Sequence, residues 1–80
     1  MSKSSTTRAV EPGPTLRELI DAAGLKVVDA ASKGRMGAST IYRAFDGEMP
    51  SDLHVWALSV VLAKTESEVR ASIKRSKGAA

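Results

Sequence analysis

The 80-residue chain has no cysteine, one histidine, and one residue each of Trp, Tyr and Phe. Without cysteine there is no disulfide and no thiolate metal site, which fits a reducing compartment. His54 is the sole imidazole, so no cluster of His ligands can form, and we expect no metal and no cofactor. No apolar run approaches the roughly 20 residues of a membrane span. The first residues also lack the apolar core of a signal peptide, so we expect no membrane partner. No nucleophile–base pair and no Gly-rich phosphate loop behind a strand is present. Asp46, Glu48 and Asp52 stand where turn and cap residues belong, not as paired catalytic carboxylates. The expectation is a protein that is not an enzyme. Period-2 alternation and internal repeats are absent too, which leaves an all-α chain.

What is there is an uneven distribution of charge. The net charge is +3. Lys3, Arg8 and Glu11 lie in the first 13 residues, and Lys74, Arg75 and Lys77 in the last seven. From Pro14 to Ile73, seven basic residues face eight acidic ones. The middle of the chain is therefore not broadly basic. It does hold one local cluster, Lys33, Arg35 and Arg43, with no acid between Asp29 and Asp46. Any nucleic acid would be held by that cluster and the basic tails.

Residues 1–13 are Ser/Thr-rich, lack apolar periodicity and run into Pro-Gly-Pro, the pattern of a disordered arm. Thr15-x-x-Glu18 is a capping-box signature, and Leu16, Leu19, Ile20 and Ala23 follow at helical spacing. A first helix is predicted over 15–23, stopped by Gly24. A second spans about 27–33, with Val27, Ala30, Ala31 and Gly34 on one face. Gly34 and Gly37 bracket a tight turn. A third helix covers about 38–45 with Ile41, Ala44 and Phe45 inward, and Asp46-Gly47 ends it. Ser51 caps a fourth helix reaching about residue 63. That helix carries two apolar stripes. Val55, Leu58 and Leu62 form one; Leu53, Trp56, Ala57 and Val60 form the other. Thr65-x-x-Glu68 opens a short fifth helix with Val69 and Ile73 inward, and residues 76–80 should fray. The expected architecture is a compact bundle of five short helices over 14–75, with Trp56 packed into it.

Two short helices around a tight glycine-bearing turn, the second starting with small polar residues, suit a helix whose N-terminal end enters the DNA major groove. At this level of detail the chain resembles the Cro/lambda-repressor-type, or Xre-like, helix-turn-helix family. The likeness spans about residues 16–69. It rests on Leu16-Arg17-Glu18-Leu19 with Ala23-Gly24-Leu25, on Ala31, on Thr40-Ile41-Tyr42-Arg43, and on Asp46-Gly47-Glu48-x-Pro50-Ser51. There are departures. Val27 stands where the family usually has Gln. The turn glycine, Gly34, comes one residue early, which leaves Arg35 at the usual glycine position.

The resemblance implies a lambda-repressor-like fold and double-stranded DNA as the partner. Ala38, Ser39, Thr40, Tyr42 and Arg43 then become candidates for the DNA contact. Ala38 would meet a thymine methyl, and Ser39 a base or phosphate. The bland alternative for Ser39 and Thr40 is capping of the third helix. For Arg43 it is a surface pair with Asp46 or Glu48. Lys33 and Arg35 would neutralise phosphates, with Lys26, Lys3 and Arg8 as further arm or phosphate contacts. His54 is expected on the helix surface.

The function so implied is a sequence-specific regulator, most like a small phage Cro-type or immunity repressor, acting by operator occupancy in a bacterial cytoplasm. No small-molecule ligand is expected. Two other readings stay open: the antitoxin of a toxin–antitoxin pair, and a helical protein-interaction module that has lost DNA binding. The second stripe of the fourth helix also leaves two covers open, the first and fifth helices or a second copy of the chain.

Overall fold

A computed structural model describes residues 13–77. Over that range the chain is all-helical, in the order α1 (Leu16–Ala22), α2 (Val27–Lys33), α3 (Ala38–Phe45), α4 (Asp52–Leu62) and α5 (Glu66–Ser76). Local chemistry starts three of the five helices. The Thr15 hydroxyl accepts from Glu18 N–H at 3.3 Å, while Thr15 N–H donates to the Glu18 carboxylate at 2.8 Å. Thr65 and Glu68 repeat this box at 3.0 Å in both directions. The bond from Thr65 N–H, with the Thr65 hydroxyl beside it, holds the Glu68 carboxyl below the usual carboxylate range. Ser51 caps α4 through His54 N–H at 3.4 Å.

Four helices end in a left-handed residue, and only two of those are glycine: Gly24 (φ 73°), Arg35 (φ 54°), Gly47 (φ 90°) and Ala63 (φ 56°). Each sits in a Schellman-type pair of hydrogen bonds. After α2, Arg35 N–H donates to Ser32 C=O at 3.2 Å and Met36 N–H to Ala31 C=O at 2.9 Å. Gly34 and Gly37 do bracket this turn, yet both have ordinary negative φ, −85° and −74°. An added Cβ at Gly34 would meet the movable end of the Met36 side chain at 2.6 Å, the Ala30 carbonyl at 3.3 Å and Ala57 Cβ at an ordinary 3.7 Å. The turn's left-handed residue is Arg35, which holds a conformation that costs an L-residue about 1 kcal/mol or more.

The core is one cluster. Leu16, Leu19 and Ile20 of α1 meet Ala30 and Ala31 of α2, Ile41 and Ala44 of α3, Val55, Leu58 and Leu62 of α4, and Val69 and Ile73 of α5. Helix α5 packs on α1, α3 and α4, so it is the central post of the bundle.

Three expectations need correction. Ser76 does not fray. It is buried at the end of α5, accepts from the otherwise orphaned Leu16 N–H at 3.2 Å, and donates to Ser72 C=O at 2.8 Å. A hydroxyl can close the exposed start of one helix and the last turn of another, which composition alone does not signal. Trp56 is not packed inside: it is 53% exposed, beside Leu53 at 68% and Val60 at 61%. The core side of α4 is completed by Val55, Leu58, Ser59 and Leu62, and neither α1 nor α5 reaches over the opposite side. Ala57, alone of the second stripe, is buried. Ala23 caps α1 and is exposed, so the buried row of that helix stops at Ile20.

Candidate nucleic-acid interface

Helix α3 is strongly amphipathic. Ile41 and Ala44 are fully buried and fix the helix on α2, α1 and α5, and Phe45 is half-buried beside them. That registration leaves Ser39, Tyr42 and Arg43 facing solvent, with Tyr42 53% exposed. Ala38 and Thr40 are half-buried at the flanks of this face. Lys33 and Arg35 are exposed on the turn that leads into α3. Lys26, exposed, is the N-cap residue of α2 and makes no side-chain cap. Seven of the residues singled out in the sequence thus belong to one continuous segment, the last turn of α2, the turn and α3. Lys3 and Arg8 lie outside the described residues.

The bland alternatives can be weighed on geometry. Capping does not occupy Ser39 or Thr40, because the N-cap of α3 is Gly37 and no side chain caps it. Among the described residues both ion pairs belong to Arg70, which meets Asp52 at 2.8 Å and Glu66 at 3.6 Å. Arg43 pairs with neither Asp46 nor Glu48, and Lys33 and Arg35 have no acidic partner there. Lys33 in the last turn of α2 does have a structural role, since a cation there favours the helix dipole. The same cannot be said of Arg35, whose backbone is in an unfavourable region. Gly at that position would be conformationally cheaper.

Two features escaped sequence reasoning. The Arg17 guanidinium lies over the Phe45 ring, 4.3 Å from its centroid. Phe45 in turn meets Tyr42 edge-to-face, with centroids 5.9 Å apart and planes at 82°. Cation, ring and ring form a short row from α1 to the outward face of α3, which limits the directions open to Tyr42. The i, i+3 spacing of Tyr42 and Phe45 was the available signal; Arg17 comes from a different helix and gave none. The second feature is a shallow groove of about 290 Å³ between α3 and the start of α4. Thr40, Arg43, Ser51 and His54 line it, with Glu48, Met49 and Pro50. His54 is thus half-buried beside Arg43 and not simply on a helix surface.

No group of His, Cys, Asp or Glu among the described residues is arranged to hold a metal ion. No helix there is long and apolar enough to cross a membrane. Comparison of the chain with protein-family models, with curated proteins and with solved structures finds no match in any of the three.

Proposed function

We propose that residues 15–76 form a helix-turn-helix domain of the Cro/lambda-repressor type that binds double-stranded DNA in a sequence-specific way. Its role is transcriptional regulation by operator occupancy. One observation carries this reading: the turn and α3 present Lys33, Arg35, Ser39, Tyr42 and Arg43 to solvent with no acid paired to any of them among the described residues. The B-DNA major groove admits one α-helix, and α3 is short and polar enough outward to enter it. Arg43 offers a bidentate fork to guanine O6 and N7, and Ser39 offers a hydroxyl. Lys33 and Arg35 supply phosphate contacts that set register without reading sequence.

Selection of bound duplexes from a randomised library, followed by a salt titration on the winner, tests the proposal. The expected result is one enriched motif whose affinity falls steeply with salt, with a log–log slope of about −0.9 per phosphate neutralised. No enrichment with a flat salt response would overturn it and favour the helical interaction module.

A further inference from the structure

Arg17 stands in the first turn of α1 and is exposed. Two acids of its own helix are natural partners for it. Glu18, beside it, is engaged with Thr15 in the capping box. Asp21 lies at i+4, the usual spacing of a helix ion pair. Arg17 pairs with neither, since both ion pairs among the described residues belong to Arg70. Its guanidinium crosses to α3 and lies over the Phe45 ring, 4.3 Å from the centroid. Phe45 is half-buried and packs against the core cluster. Its ring meets that of the exposed Tyr42 at 5.9 Å, with the planes at 82°. The aromatic residue that faces solvent thus rests on a ring that a cation from another helix holds in turn.

We propose that Arg17 is a positioning residue for DNA recognition: by holding Phe45 it fixes the direction in which Tyr42 presents its hydroxyl to the duplex. This rests on the DNA-binding reading of α3. A tyrosine free on a surface samples several rotamers, and a partner that uses one of them must freeze the rest. Perpendicular rings in contact and a cation over a ring face both prefer a narrow set of geometries. Here the two are coupled through one ring. The ordering of Tyr42 is then made in the free protein and is not charged to the complex. Tyr42 stands one helical turn before Phe45, towards the end of α3 that would enter the groove. Ser39 stands one turn before Tyr42. The ring pair therefore supports the side of α3 that would face the bases.

The other use of an exposed arginine here is direct neutralisation of a phosphate, the role given to Lys33 and Arg35. The two roles differ in what they couple to. A phosphate contact acts through charge, so it adds to the salt response and is indifferent to Tyr42. A positioning role acts through the rings, so it vanishes when Tyr42 is gone and leaves the salt response alone. The choice of Phe45 over Asp21 is what favours the second: the guanidinium is placed by a ring face and not by an opposite charge.

The test uses the full chain, first free and then with the duplex selected from the randomised library. The chain has one Tyr and one Phe, so the ring protons of each are assigned by NMR without ambiguity. In the free protein, Arg17→Ala should move the Tyr42 ring resonances and weaken the Tyr42–Phe45 cross-peaks, with the urea midpoint unchanged. With the duplex, Arg17→Ala should weaken binding about three- to tenfold and leave its salt slope as in the wild type. In a Tyr42→Ala background the same substitution should cause no further loss. Equal losses in both backgrounds, or a salt slope lowered by about 0.9, would make Arg17 an independent phosphate contact and overturn the proposal. Unmoved Tyr42 resonances would overturn it as well. The wild type separates this failure from failure of the reading beneath it. If the wild type binds its duplex and Arg17→Ala binds equally well, only the role of Arg17 falls. If the wild type selects no duplex, the DNA reading falls first and takes this inference with it.

Discussion

Helices α3 and α4 follow one another in the chain and turn opposite chemistries outward. Helix α3 buries little, Ile41 and Ala44 fully and Phe45 in part, and shows water Ser39, Tyr42 and Arg43. Helix α4 buries Val55, Leu58 and Leu62 and still shows water Leu53, Trp56 and Val60. The first face is stable when wet, as the proposed contact with DNA would require. The second gains free energy only when water leaves it. The core draws its large side chains mainly from α1, α4 and α5, and α3 is held by Ile41 and Ala44 with its outward face free for polar chemistry.

The largest effect should come from cutting the support of α4. Leu58→Ala, at a fully buried site, should cost about 2–5 kcal/mol. Leu53→Ala on the opposite side should stay within about 0.5 kcal/mol. Urea denaturation of the two variants checks this, and equal losses would mean that the two sides of α4 are not distinct. On α3 the contrast should invert. Arg43→Ala should leave the denaturation midpoint unchanged and weaken binding of the selected duplex roughly 10- to 100-fold. Lys33→Ala should weaken all duplexes alike and lower the salt slope by about 0.9. Wild-type affinity in Arg43→Ala would remove α3 from the groove.

Arg35→Gly separates stability from binding. Relief of the left-handed backbone should stabilise the fold by about 1 kcal/mol. Loss of the guanidinium should flatten the salt response of DNA binding. A variant destabilised by this change would show that the Arg35 side chain holds the turn. The smallest effect concerns neither face. Glu68 has its carboxyl pKa lowered by its bonds to Thr65, so its contribution is present above the unfolded carboxylate range and is lost as pH falls through the folded value. Glu68→Gln should therefore flatten the acid limb of a stability–pH profile below about pH 4.5, with circular dichroism at neutral pH unchanged.

Much of the fold was legible because short-range rules govern it. The boxes at Thr15 and Thr65, the cap at Ser51, and the glycines at 24 and 47 mark helix ends through contacts within three or four residues. The row Ile41, Ala44 and Phe45 similarly set which side of α3 faces out. Three things were not legible. The Ser76–Leu16 bond joins residues 60 apart in sequence, and no local pattern announces it. The Arg17–Phe45–Tyr42 row depends on how α1 meets α3. Trp56 looked like a core residue because large aromatics usually are, but burial depends on which neighbour arrives, not on the residue.

The sequence alone determined five helices, their ends, and a basic segment free of acids at 30–45, because capping, periodicity and charge spacing act over a turn or two. Only the tertiary structure decided that the left-handed turn residue is Arg35 and not Gly34: α2 continues through Lys33 and closes on Gly34 in a right-handed conformation, which moves the left-handed position one residue on. It likewise decided that one apolar stripe of α4 is core and the other surface. Both stripes are equally apolar as text. Only the directions from which α1, α2, α3 and α5 approach leave one of them in water.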